Sequence, residues 1–358
     1  MGDRGATAAE KRVQRFLIDY DAQWRSAAPA FESPDRSTRR DAFGMWRELV
    51  APLVRDHVVG DRLGLDSSFG TPPSYGAAVE RVVRTEVDGD RAYVLTELTD
   101  SSTRQKHEYV LERVGWRWKI RAIEQHFDDP RTPFVQAAEA QDLAAGASPD
   151  APLDVVPDEQ RALDEARNFT DRSVVHARSG EASEARVSPA GTLVTHSGVL
   201  AVLDFGYDND DARPLARRVP PGSYPVDRVT GFERNAALRV RFSERMPVTW
   251  HPADLPSGPG HFIGVDAGSV CVVDYPAYAT MSRRAKAEAF TEYIHAASPS
   301  VQEVALGSSD VGVVAESGYG DGSYPVYWGL DETGAVAQLV VDFLVLVTAG
   351  DDGNLRHL

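Results

Sequence analysis

The sequence predicts an α+β protein in two parts, a small helix-then-antiparallel-sheet domain followed by a larger strand-rich one. Three observations predict it. Apolar residues recur at helical spacing through the opening stretch; four alternating runs, the first and second and the third and fourth joined by Gly-containing turns, then cover residues 79–124; and short β-branched or aromatic runs dominate from residue 192 onward. At 358 residues the chain exceeds what one ordinary core supports, so two domains are expected.

Val13, Phe16, Leu17, Tyr20 and Trp24 line one face of a first helix. A second is expected from Ser37 or Thr38 as cap, with Phe43, Trp46, Leu49, Val50, Leu53 and Val54 inward and Pro52 kinking or splitting it. Phe69 to Gly76 reads as a Gly/Pro loop. Strands are predicted at Val79–Val87 and Arg91–Leu98, flanking the Asp88-Gly89-Asp90 turn, and at Lys106–Val114 and Trp116–Glu124 around Gly115. In the last of these, Trp116, Trp118, Ile120 and Ala122 alternate with Arg117, Lys119 and Arg121, giving one apolar and one wet face.

Residues 136–160 hold no aromatic and no basic residue, and are read as an acidic Ala/Pro-rich linker between domains 1–135 and 161–358. Beyond it a short helix is expected over Asp158–Phe169, strands over Thr192–Phe205, Ala236–Phe242, Phe262–Asp274, Gly312–Ala315, Tyr324–Gly329 and Ala335–Thr348, and a helix over Met281–Ala297. Gly222-Ser223-Tyr224-Pro225-Val226 recurs as Gly322-Ser323-Tyr324-Pro325-Val326, which suits a turn entering a strand; an internal duplication is the alternative.

The net charge is −16, divided as −1 over 1–135, −6 over 136–160 and −9 over 161–358. Such an acidic surface argues against nucleic acid as a partner, because phosphates require Lys and Arg; it suits solubility or a basic protein. No secretory leader is apparent, the apolar run Leu339–Val347 is broken by Asp342, and Cys271 is the only cysteine. A cytoplasmic location without membrane contact is expected, and no internal disulfide or Cys-rich zinc site can form.

An apolar strand runs into Asp and then an aromatic three times: Leu203-Asp204-Phe205, Val273-Asp274-Tyr275 and Val341-Asp342-Phe343. Together with Asp266 and Asp321, these carboxylates could hold Mg²⁺ or Ca²⁺ if they converged. Alternatively each closes a strand by accepting turn amides or pairing with Arg239 or Arg241. Gly318-Tyr319-Gly320-Asp321-Gly322 opens a strand and not a helix, so it is not a phosphate loop, and Asp208-Asn209-Asp210-Asp211 lacks the Gly and Glu of an EF-hand. No His pair has HxxxH spacing, and no Ser lies in GxSxG. Tyr75, Tyr93, Glu97 and His107 could line an acid/base cavity or be ordinary core and rim residues. No cofactor motif and no complete catalytic set is present. Asp266, Tyr319, Asp321, Tyr324 and Trp328 are the candidate binding surface, with aromatic anchors beside carboxylates.

Trp46, Pro72-Pro73-Ser74-Tyr75, the Val79–Leu98 hairpin and Trp116-Arg117-Trp118-Lys119-Ile120 carry a resemblance to the nuclear-transport-factor-two-like cone, in its bacterial immunity-protein branch. That resemblance implies helices packed into the concave face of a curved antiparallel sheet. Residues 185–348 resemble domain-of-unknown-function family number 4241 through Ser197-Gly198, Asp204, the Val219–Val226 run, Arg239, Phe242-Ser243 and Trp250. Val265-Asp266-Ala267-Gly268, Cys271, Asp274, Ser317 to Gly322, Tyr327 to Asp331 and Asp342-Phe343 complete the match. Phe205 and Val272-Val273 depart from that family's pattern without touching a polar position. The combined resemblance implies an immunity or interaction protein that covers the active surface of a basic toxin encoded nearby. An enzyme with an Asp-rich metal site, or a small-ligand-binding cone, are the alternatives.

Overall fold

Helical periodicity at the amino end becomes two long helices, α1 (Gly2–Phe31) and α2 (Arg36–His57). They bury Val13, Phe16, Leu17 and Tyr20 against Trp46, Val50 and Leu53. Asp35 caps α2 and not Ser37 or Thr38: its carboxylate accepts from Ser37 N at 3.1 Å and Ser37 Oγ at 2.5 Å. Nor does Pro52 end the helix, which runs through it to His57. Proline removes only one intrahelical bond, and buried Val50 and Leu53 on either side hold the segment to the core.

Strands β1 (Glu80–Asp88), β2 (Arg91–Leu98), β3 (Lys106–Val114) and β4 (Arg117–His126) form an antiparallel sheet in sequential order. Gly89 and Gly115 take φ of 57° and 63° in the tight turns, where a side chain would be strained. Register shifts at Val82/Arg84 and Val110/Leu111 are bulges, which bend and twist a sheet. The helices lie on one face of it, with Phe16 5.9 Å from the Tyr109 ring and Tyr20 edge-on to Trp46 at 5.6 Å.

The computed structural model describes residues 2–60, 63–99, 105–153, 165–207, 212–256, 262–297, 300–307, 309–350 and 355–358. Two units are separated at Pro130/Arg131, five residues before the boundary expected from composition. Residues 131–135, expected to close the first domain, and the start of the predicted linker are both built into the second unit. Arg283 N and Nη1 donate to Thr132 O at 3.0 and 3.2 Å, and Nη1 also reaches Pro133 O at 2.7 Å. Helix α3 (Ala137–Ala144) buries Ala140, and Ala151 and Leu153 are buried beyond it. Alanine is apolar and a strong helix former, so a segment without aromatics can still pack. The 154–160 part of that linker lies outside the described residues, as do Asp208–Asp211, His261 and most of the expected Asp158–Phe169 helix, of which a 3₁₀ turn at Glu165–Arg167 is described.

The second unit contains β5 (Arg172–Val175), β6 (Ala182–Thr195), β7 (Leu200–Asp204), β8 (Gly222–Gly231), β9 (Arg234–Arg241), β10 (Thr249–Pro252), β11 (Phe262–Val265) and β12 (Ser269–Asp274). The short helix α4 (Tyr275–Ala279) and α5 (Arg283–Ile294) follow, then β13 (Val301–Ala305), β14 (Val311–Glu316), β15 (Gly322–Leu330), β16 (Val336–Asp342), β17 (Val347–Ala349) and β18 (Leu355–His357). Antiparallel pairing joins twelve strands in the order β10-β15-β16-β9-β8-β6-β14-β12-β7, with β11 beside β15, β13 beside β14 and β5 beside β6. The α+β class read from sequence is therefore the class of the molecule.

Alternation along β7, β12 and β14 explains their unbroken apolar character. Leu200, Val202, Val270, Val272, Val313 and Ala315 enter one core, while Ala201, Leu203, Cys271, Val273 and Val314 enter another with Val135, Ala140 and Tyr278. Both faces are covered, so neither can be polar. Three predicted strands divide in two: β6 from β7 at 196–199, β11 from β12 at 266–268, and β16 from β17 at Leu344, whose φ is 59°. In each case a short polar or strained turn sits inside a hydrophobic run that propensity alone reads as continuous. Helix α5 keeps to its predicted place, and Ser282 caps it by accepting from Ala285 N. Both Gly-Ser-Tyr-Pro-Val copies open strands, and both tyrosine hydroxyls donate four residues back, Tyr224 to Pro220 O at 2.6 Å and Tyr324 to Gly320 O at 2.8 Å.

Candidate functional site

Two turns of the second unit meet beside the end of β7. Asp204 is buried, and its carboxylate accepts from Asp266 N at 2.8 Å and Ala267 N at 3.1 Å, fixing the turn between β11 and β12. Ser317 N donates to Gly268 O at 3.0 Å, and Ser317 Oγ to Gly320 O at 2.8 Å, which locks the second turn onto the first. Arg234 Nη1 holds Gly318 O at 2.8 Å from the start of β9. Gly318, at φ 66°, needs its missing side chain, since a Cβ would stand 2.7 Å from Asn235 O.

The result is an acidic, partly aromatic rim. Asp266 and Asp321 are exposed, Tyr319 is 54% exposed, and the Arg234 guanidinium lies 5.1 Å from the Tyr319 ring centre. Burial pushes the Asp204 carboxyl above its ordinary range, opposed by the two turn amides and reinforced by the charges of Asp266 and Asp321. Asp204 thus feels both rim carboxylates. Of the five residues expected to form a binding surface, Asp266, Tyr319 and Asp321 can meet a partner. Tyr324 and Trp328 cannot. They are 4% and 0% exposed, because β15 is sandwiched between β16 and the β10/β11 edge and its side chains feed the core.

The five aspartates proposed as metal ligands are not brought together. Among the described residues, no group of three or more His, Cys, Asp or Glu is placed to hold a metal ion. Asp204 and Asp274 lie at opposite ends of the β7/β12 pairing, about 13 Å apart at 3.3 Å per residue. Asp274 instead accepts from Thr195 Oγ1 (2.6 Å), Ser197 Oγ (2.7 Å), Ser197 N (3.0 Å) and Ala277 N (3.1 Å), tying the β6–β7 turn to the start of α4. Arg239 and Arg241, considered as partners for these aspartates, both bind Asp227.

Asp342 is fully buried. It accepts from Leu344 N at 2.7 Å, and burial, offset in part by that amide and by Asn168, pushes its carboxyl up to about 6. The folded protein then keeps a proton that the unfolded chain releases above about pH 4, so stability falls as pH rises from about 4 to 6 and is level above that. Asp342→Asn, which retains the acceptor for Leu344 N, is expected to flatten this slope and to gain roughly 2 kcal/mol over the parent at pH 7 relative to pH 4. Urea unfolding of both proteins across that range checks it; parallel pH profiles would exclude a buried proton on Asp342.

In the first unit the structure assembles a cluster that sequence reading found only in part. Glu80 is buried, accepting from Thr96 Oγ1 at 2.6 Å and from Tyr109 Oη at 3.0 Å to each oxygen, with His107 Nδ1 at 3.2 Å. Tyr75 packs 5.2 Å from the His107 ring; its phenol is pushed up to about 12 by burial and then by the charges of Glu80 and Glu124. Tyr75 and His107 therefore do belong together. Tyr93 does not join them: it packs with Val110 and Ala122, alternate residues that place it on the other sheet face, and Glu97 pairs with Arg81 at the exposed edge. Glu80 itself was missed because it begins a strand, where a Glu ordinarily faces water; its register partner is Leu98, and it reaches Thr96 and Tyr109 only diagonally across β2 and β3, which no local pattern shows. Cys271 is fully buried, and burial pushes its thiol far up, so it acts as a small apolar side chain.

Fold and site together define a two-unit α+β protein whose larger unit is an antiparallel sheet edged by an acidic turn pair. Residues 193–341 match the family model described as "Protein of unknown function (DUF4241)", a span that runs from the end of β6 into β16 and includes both turns. No curated protein and no solved structure matches the chain.

Proposed function

We propose that this protein works by binding another protein, as an immunity-type inhibitor that covers the active surface of a basic toxin encoded beside it. The observation that carries the reading is the rim of Asp266, Tyr319 and Asp321, exposed together on turns that are rigidly bonded to the sheet behind them. Preorganised turns lose little entropy on binding, and a carboxylate surface on the more acidic part of the chain steers a basic partner. The first unit supports the same reading by its likeness to the immunity branch of the nuclear-transport-factor-two-like cone: two helices on a bulged four-stranded meander. It offers a second contact surface.

Co-expression with the product of the adjacent gene tests this. Cells are expected to survive only with the full chain present, and the purified pair to associate at least tenfold more slowly at 0.5 M than at 0.05 M salt, because screening removes the steering. Asp266→Lys with Asp321→Lys should slow association by a further tenfold at low salt while leaving the melting temperature in place. A neighbour that is harmless, or that stays toxic and unbound in the presence of the full chain, would eliminate the immunity reading. Association indifferent to both salt and the double variant would remove the acidic rim from it.

A further inference from the structure

The core of the first unit fixes which face of α1 is left outside. With Val13, Phe16, Leu17 and Tyr20 buried, Lys11, Arg12 and Arg15 fall on one outer stripe, at helical spacing, facing the opening of β4. Between them lies a groove of about 310 Å³, lined by these three cations and by Trp116, Arg117 and Trp118. Among the described residues, no carboxylate lines it. Trp116, on the turn after Gly115, is 81% exposed, the most exposed large apolar side chain among the described residues. The Arg117 guanidinium is 4.3 Å from the Trp116 ring centre, and that of Arg113 is 4.7 Å from Trp118.

Arg15 is shared with Asp19 at 3.1 Å, and Arg12 leans on His57 Nδ1 at 3.3 Å. Lys11, Arg113 and Arg117 have no carboxylate within ion-pair distance among the described residues. A cationic wall facing an exposed indole asks for a ligand that carries both negative charge and a flat aromatic surface. An acidic peptide would satisfy the cations and leave the indole in water; a bare anion would do the same.

We propose that this groove binds a nucleoside phosphate, the phosphate held by Lys11 and Arg117 with Arg12 and Arg15 behind, and the base stacked on Trp116. The volume is at the lower end of ligand pockets, the size of one nucleotide. The net charge of −16 does not forbid this. Charges beyond about 8 Å are screened at physiological salt, so a single nucleotide feels the groove and little of the distant charge. The proposal is independent of toxin binding, since it uses none of the rim residues.

Equilibrium dialysis of the full-length protein with ADP tests it, alongside pyrophosphate, a short oligothymidylate and a poly-glutamate peptide. ADP is expected to bind one to one and at least tenfold more tightly than pyrophosphate, which has the charge without the ring. Trp116→Ala and the double variant Lys11→Glu/Arg117→Glu should each weaken ADP tenfold or more, with unchanged melting temperatures because all three side chains are on the surface. Tighter binding of oligothymidylate than of ADP would reassign the groove to strand ends, and tighter binding of poly-glutamate to an acidic protein; either overturns the free-nucleotide reading. So would the absence of ADP binding at millimolar concentration, or equal binding of ADP and pyrophosphate that ignores Trp116→Ala.

Discussion

Gly198→Ala is expected to cost the second unit about 4 kcal/mol or more, a large fraction of the stability of an ordinary domain. Gly198 sits at φ 71°, and a Cβ there would stand 1.9 Å from Val219 O, well inside any tolerable contact. The obstacle is backbone and cannot rotate away. Val219 N donates to Gly198 O at 2.9 Å, and Gly198 N donates to Thr195 Oγ1 at 2.9 Å, so retreat of either segment breaks bonds on both sides. The left-handed conformation alone costs an alanine roughly 1 kcal/mol; the remainder comes from displaced strands and from Asp274, whose buried carboxylate would lose Thr195 and Ser197 as donors. Urea unfolding followed by tryptophan fluorescence reads the loss. A variant within 1 kcal/mol of the parent would mean that the turn between β6 and β7 is not clamped as described.

Glu80→Ala should destabilise the first unit by about 3 to 5 kcal/mol, while Glu80→Gln costs about half as much. Alanine removes the common acceptor of Thr96 and Tyr109 and the neighbour of His107, leaving buried donors unpaired around a new cavity. Glutamine fills the space and keeps one oxygen for them, losing only the charge and one acceptor. The ratio of the two losses is therefore the diagnostic quantity. If glutamine proves as damaging as alanine, charge and not hydrogen-bond satisfaction holds the cluster; if neither variant shifts the unfolding midpoint, Glu80 is not engaged as described.

The aromatic positions illustrate how differently local and tertiary signals behave. Trp116 and Trp118 belong to one alternating run, and alternation predicts both on the apolar face; the structure buries Trp118 and leaves Trp116 on the turn, 81% exposed. Tyr319 and Tyr324 stand five residues apart in one Gly-rich stretch, yet only the first reaches solvent, because Tyr324 has already entered β15. The three Asp-aromatic repeats share a pattern and end three strands, but each carboxylate finds its own donors: turn amides for Asp204, two hydroxyls and two amides for Asp274, the Leu344 amide and the Asn168 side chain for Asp342.

What the sequence determined by itself was set by neighbours in the chain: the two amphipathic helices, the four-stranded meander with its Gly turns, the strand-rich second part, and the tendency of Asp to close a strand. Periodicity and turn chemistry act over a few residues, so they survive without knowledge of the fold. Only the tertiary structure decided that residues 131–153 belong to the second unit, that Tyr324 and Trp328 are core, that the five aspartates form no metal-holding group, and that Glu80 meets His107 and Tyr109. Those outcomes depend on which strands become neighbours and which face each one turns to the core. A shift of one residue in register reverses every face, so no local pattern contains them.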